Sequence, residues 1–98
     1  MNVAKETASR DLVVGLGATG LSIARYLRRA EIDALFFDSR EAPPGIRELD
    51  DIWPDAKVFL GDAKLPVRIA RIIASPGISD SHPLLKRARQ EHVEVISD

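Results

Sequence analysis

Three glycines in Gly15-Leu16-Gly17-Ala18-Thr19-Gly20 have the spacing of a loop that receives a phosphate between a strand and a helix. Each has its own duty in such a loop: Gly15 allows the tight turn, Gly17 lets the backbone approach an anion closely, and Gly20 lets helix and strand pack. The helix that follows supplies unpaired N–H groups and the positive end of its dipole. Thr19 carries a hydroxyl that either donates to a phosphate oxygen or helps to start the helix. The same glycines would also suit a close helix–sheet contact with no ligand at all, so the spacing by itself does not name a guest.

Two further clusters belong to the same question. Asp38-Ser39-Arg40 follows an apolar run, where an acidic side chain in dinucleotide-binding proteins accepts hydrogen bonds from a ribose. A carboxylate accepts equally well from a base N–H, and the Arg40 guanidinium can lie along a base or meet a phosphate, so the trio leaves the ligand open. Ser75-Pro76-Gly77 ends another apolar run and either completes the rim of a shared crevice or makes a plain turn. His82 and His92 have no metal-ligand spacing; His82 or Ser81 reads as a helix cap ahead of Pro83, and His92 as surface.

Other chemistries are absent. No Gly-x-x-x-x-Gly-Lys-[Ser/Thr] occurs and none of Lys5, Lys57, Lys64 or Lys86 follows a glycine, so this stretch has no P-loop for ATP. No nucleophile stands beside a base, and without cysteine there is neither a disulfide nor a thiolate metal site. With 14 basic and 15 acidic side chains spread evenly, there is no electrostatic footprint for duplex nucleic acid. No apolar run is long enough to cross a bilayer and the first nine residues lack a signal-peptide core, so a cytoplasmic location without membrane contact is expected.

The elements that must position these groups follow from the apolar pattern. At 98 residues the chain supports a single core, expected over 10–98 after a flexible extension over 1–9. Leu12-Val13-Val14, Ala34-Leu35-Phe36-Phe37, Val58-Phe59-Leu60, Ile69 to Ala74 and Val93 to Ile96 read as short buried strands. Leu21, Ala24 and Leu27, flanked by Ile23 and Tyr26, make the apolar stripe of a first helix opposite Arg25, Arg28 and Arg29. After the Pro43-Pro44-Gly45 loop, Ile46 to Trp53 reads as a short helix, and Leu84, Leu85, Ala88 and Glu91 outline a last one. Alternation of strand and helix predicts an α/β, Rossmann-like, doubly wound parallel sheet of five strands in the order 3-2-1-4-5. Its ligand site would lie at the carboxyl ends of the strands, where the three clusters fall. On these residues alone the nucleotide-type ligand stays unnamed: an NAD(P)-binding or ligand-sensing module is open, and so is a non-binding assembly domain.

Taken together, Val14 to Ser22, Asp38-Ser39-Arg40 with Pro43-Pro44-Gly45, Ile73 to Ile78 and His82-Pro83 resemble the N-terminal domain of the D-glutamate-adding Mur ligases, over nearly the whole chain after the first nine residues. The resemblance implies a three-domain cytoplasmic bacterial enzyme of peptidoglycan synthesis whose first domain binds the uridine diphosphate end of UDP-N-acetylmuramoyl-L-alanine. ATP and Mg²⁺ would be bound elsewhere in the full-length enzyme, where an acyl phosphate forms and the D-glutamate amine attacks it. Carried onto this sequence, Gly17, Ala18, Thr19 and Gly20 would meet the UDP, Asp38, Ser39 and Arg40 would surround the uracil, and Ser75, Pro76 and Gly77 would lie along the nucleotide. Ala18 stands where a larger apolar residue is familiar in that family, and Ser39 replaces a familiar threonine while keeping the hydroxyl. The resemblance further implies a fragment that binds but does not catalyse, holds no cofactor of its own, contacts the remaining domains and is otherwise monomeric.

Overall fold

The computed structural model describes residues 10–61, 69–75 and 83–97. The expected extension over 1–9 therefore lies outside the described residues, as do Pro76, Gly77, Ser81 and His82. Five strands and three helices alternate: β1 (Arg10–Val14), α1 (Ala18–Arg29), β2 (Ala34–Asp38), α2 (Ile46–Ile52), β3 (Lys57–Leu60), β4 (Ile69–Ala74), α3 (Pro83–Gln90) and β5 (Glu94–Ser97). All strand pairs are parallel and the sheet order is β3-β2-β1-β4-β5, as the sequence pattern predicts. Boundaries move by a residue or two: β1 begins at Arg10, and β5 runs one residue later than the apolar run suggests, because pairing to Arg71 and Ile72 sets its register.

The two-residue period of the strands divides the core between the faces of the sheet. Val13, Ala34, Phe36 and, beyond β1, Leu16 pack with Leu21, Ala24, Leu27, Leu49 and Trp53 of the α1 and α2 side. Leu12, Val14, Leu35, Phe37, Ile72 and Ala74 pack with Leu85 and Ala88 of α3 on the other. Continuous apolar runs are thus required in β1 and β2, since each alternate residue meets a different helix layer. Trp53 closes the first layer edge-on to Phe36, with ring centroids 5.5 Å apart, while the Arg28 guanidinium lies 5.3 Å from the Trp53 ring centre. Tyr26, expected beside the apolar stripe of α1, instead has 64% of its surface exposed.

Both longer helices end in the same way. Glu31 and His92 adopt left-handed backbone conformations, with φ of 58° and 60°. Their N–H groups donate to Arg28 and Arg89, and the next residues, Ile32 and Val93, donate to Leu27 and Ala88. This paired bonding satisfies the last carbonyls and turns the chain into the following strand. Among the described residues, no helix is long and apolar enough to cross a membrane.

Candidate functional site

The carboxyl ends of β1, β2 and β4 lie side by side, because the ladder continues one residue beyond each strand. The Gly15 N–H donates to the Phe37 carbonyl at 2.8 Å, the Ser75 N–H to the Val14 carbonyl at 3.0 Å, and the Gly61 N–H to the Asp38 carbonyl at 2.9 Å. The glycine loop, the Asp38 turn and Ser75 are thereby brought together, as the strand order requires.

Gly15 turns the chain with φ 105°, a conformation that penalises any side chain. A Cβ on Gly20 would stand 1.9 Å from the Gly15 carbonyl oxygen, so α1 can approach β1 only because Gly20 has none. Gly17 differs from both. It is the N-cap of α1 with no side-chain cap, and a Cβ there would have nothing within 4 Å. Open space thus lies over Gly17, next to the first turn of α1, which contains no acidic residue. Ala18 is exposed and Thr19 half-buried in that turn. Thr19 sits inside the helix, so the capping role is not its own. Ser75 reaches toward the loop, with its hydroxyl 3.5 Å from the Gly15 carbonyl oxygen.

Asp38 is the centre of the arrangement. Its side chain is 1% exposed, yet it carries a charge. Oδ2 accepts from the Leu16 N–H at 2.8 Å and from Arg40 Nη2 at 2.8 Å, while Oδ1 accepts from the Arg40 N–H at 2.8 Å and Arg40 Nε at 2.9 Å. Burial alone would push this carboxyl up. The bonds from the Arg40 side chain, the Arg40 N–H and the Leu16 N–H, with the Arg40 charge, outweigh burial and hold it at about 2. Arg40 in turn is raised by its bond to Asp38, against some desolvation. A carboxylate offers about four lone-pair positions, and all of them are used here within the chain. Ser39 and the guanidinium of Arg40 are the exposed members of the trio.

Two contributors were not marked by their residue types. The Leu16 backbone is gripped from both sides: its N–H donates to Asp38, and its carbonyl accepts from the Gly45 N–H at 2.9 Å. Gly45 belongs to the Pro-Pro-Gly turn, which reads from sequence only as a loop. A Cβ on it would meet the Leu16 carbonyl oxygen at 2.5 Å and Leu21 at 3.1 Å. The one signal in sequence was the glycine itself, which does not say what it lies against.

The three loops make a rim with an open helix N-terminus, a hydroxyl at Ser39 and a guanidinium at Arg40. These are groups able to receive an anionic, hydrogen-bonding ligand. Comparison with known proteins follows the same line. Residues 9–97 match the family model described as Mur ligase MurD-like, N-terminal domain. The chain is 41% identical over 95 residues to the UDP-N-acetylmuramoylalanine–D-glutamate ligase of Shewanella violacea, covering 95% of this chain and 21% of that protein. It is 40% identical over 89 residues to the ligase of the same name from Legionella pneumophila strain Paris, with 89% of this chain and 20% of that protein covered. With the Shewanella oneidensis ligase it shares 43% identity over 89 residues, again 89% of this chain and 20% of that protein. The chain spans about a fifth of the length of these relatives.

Proposed function

This chain belongs to the Mur ligase MurD-like N-terminal domain family, and from that premise we propose that it binds the uridine diphosphate end of UDP-N-acetylmuramoyl-L-alanine for a longer, D-glutamate-adding ligase of peptidoglycan synthesis. The observation that carries this reading is the rim built around Asp38, which fixes the glycine loop and Arg40 relative to one another while the space over Gly17 stays open.

In this reading the backbone of Gly17, Ala18, Thr19 and Gly20 receives the diphosphate at the start of α1. The first N–H groups of a helix have no intrahelical partner and can donate to an anion. Asp38, Ser39 and Arg40 surround the uracil, and Ser75, with Pro76 and Gly77, lies along the nucleotide. Asp38 acts first through its neighbours, by holding Leu16 and Arg40. A base N–H that bonds to Asp38 takes a lone pair from Arg40, whose released guanidinium then faces the base or the phosphates.

ATP and Mg²⁺ belong to other parts of the longer enzyme. No lysine here follows a glycine, and among the described residues no group of three or more His, Cys, Asp or Glu could hold a metal ion. The part proposed for this chain is to bind and orient the substrate. The enzyme works in the cytoplasm as a monomer, with this domain contacting the rest of the same chain.

Titrating isotope-labelled protein with UDP, and separately with NAD(H), tests the reading. Amide shifts are expected at Gly17 to Gly20, Asp38 to Arg40 and Ser75, with those of α3 unmoved. Silence at millimolar UDP, or saturable NAD(H) binding with UDP inert, would overturn it. Affinity for UDP alone is expected to be weak, because a lone domain makes only part of the contacts.

A further inference from the structure

A glycine loop after β1 and an acid at the end of β2 are the parts with which parallel α/β domains hold a dinucleotide. The pyrophosphate sits at the helix start, and the vicinal hydroxyls of a ribose donate to the carboxylate. Most of that arrangement is present here. Gly15 turns the loop, Gly17 leaves it open and Gly20 lets α1 pack, while the Leu16 N–H holds Asp38 against the loop. The difference lies in the carboxylate, which has no acceptor position to offer. Oδ1 takes the Arg40 N–H and Nε, and Oδ2 takes the Leu16 N–H and Arg40 Nη2.

Two of these four donors are backbone groups, set by the glycine loop and by the turn after β2. The other two belong to one guanidinium, which is 55% exposed above a carboxylate that is 1% exposed. A ligand donor therefore reaches Asp38 by displacing Arg40. A ribose diol brings two O–H donors, and seating one on each carboxylate oxygen breaks both charge-assisted bonds of the fork at once. Hydroxyl oxygens are weak replacements for a carboxylate as partners of a guanidinium. The edge of a cyclic imide base is different, because its single N–H lies between two carbonyl oxygens. It displaces one bond and returns acceptors to the freed Arg40 N–H groups. A ribose 2′-phosphate meets the opposite obstacle, since one guanidinium would have to serve both that anion and the buried carboxylate.

We propose that Arg40 is a specificity-determining residue which, by closing both oxygens of Asp38, bars the ribose of nicotinamide dinucleotides from the rim and admits a base edge that exchanges one N–H for carbonyl acceptors. The inference deepens the proposed function and rests on its reading of this rim as a nucleotide site. Selection here works through a repulsive element as well as an attractive one. NAD(H) is refused because its diol must break the whole fork, and NADP(H) because its 2′-phosphate is brought to a carboxylate whose counter-charge is already engaged.

The test titrates isotope-labelled wild type and Arg40→Met, which keeps an apolar stem and loses the guanidinium, with UDP, NADH and NADPH in turn. In the wild type the Gly17 and Asp38 amides should ignore millimolar NADH and NADPH. In R40M two acceptor positions on Asp38 are open, so NADH should shift both amides, with affinity raised about tenfold or more. NADPH should stay inert there, because the bare carboxylate repels its 2′-phosphate. The Arg40 Nε–H signal gives a readout in the wild type that needs no variant to fold: its exchange with water should be slowed by the fork and unchanged by NADH. A folded R40M blind to NADH, a wild type that answers to NADH or NADPH, an R40M that binds NADPH as well as NADH, or an Arg40 Nε–H that exchanges as fast as in free arginine would each overturn the proposal. Silence toward UDP in the wild type, with R40M gaining NADH, would instead sink the UDP reading while supporting the role of Arg40.

Discussion

The Asp38 carboxylate and the Leu16 N–H meet at 2.8 Å although 22 positions separate them in sequence. This bond fixes the glycine loop from outside the loop, and Arg40 completes it by closing both carboxylate oxygens. The acid at the end of β2 is therefore as much a strut of the rim as a group on it.

Replacing Asp38 with Asn should reveal that strut through pH. The folded carboxyl sits at about 2, below the 3.8 of the free group, so its stabilisation is present above about pH 4 and is lost as pH falls toward 2. At pH 7 the D38N protein should be less stable by about 1–2 kcal/mol, discounted for the exposed Arg40 partner. In urea unfolding the difference from wild type should shrink steadily between pH 4 and 2. A constant difference across that range would contradict the linkage.

Gly17 and Gly20 should behave oppositely when each is changed to Ala. The Gly20 substitution drives a Cβ to 1.9 Å from a backbone oxygen and should cost on the order of 3 kcal/mol or more, visible as a large fall in Tm. The Gly17 substitution meets nothing and should leave stability within about 1 kcal/mol, while weakening UDP binding about tenfold or more by filling the anion's place. Unchanged UDP affinity in G17A would remove the loop from the site.

Gly45→Ala should loosen the glycine loop without touching it in sequence. The new Cβ collides with the Leu16 carbonyl oxygen, so the Gly45 N–H bond to that oxygen must lengthen or break. A loss of about 1–3 kcal/mol is expected, with faster hydrogen exchange at the Gly45 and Leu16 amides. Wild-type exchange at both amides would show that the two loops are not coupled.

Glu31→Gly and His92→Gly should each stabilise the fold. Both residues hold φ near 60° at helix ends, a conformation that glycine adopts without a Cβ penalty. A gain of about 0.5–1 kcal/mol each is expected in urea unfolding, roughly additive because the two sites lie on different helices. A loss of stability at either position would mean that the side chain contributes more than the backbone strain costs.

The sequence by itself determined the class and order of the sheet. Runs such as Leu12-Val13-Val14 and Ala34 to Phe37 are apolar at every position, and only a strand covered on both faces uses such a run, while the glycine spacing marked where α1 begins. It also marked Asp38, Ser39, Arg40 and Ser75 as strand-end groups, because polar residues directly after buried runs must lie at the rim. What only the tertiary structure decided is how those groups are used. That Asp38 is buried with every lone pair engaged by partners that include the Leu16 N–H, and that Gly45 presses against Leu16, are contacts between segments far apart in the chain. Local pattern records how often a residue is buried along its own element. It carries no record of which distant backbone group arrives beside it, and at this rim that arrival sets both the charge of Asp38 and the shape of the loop.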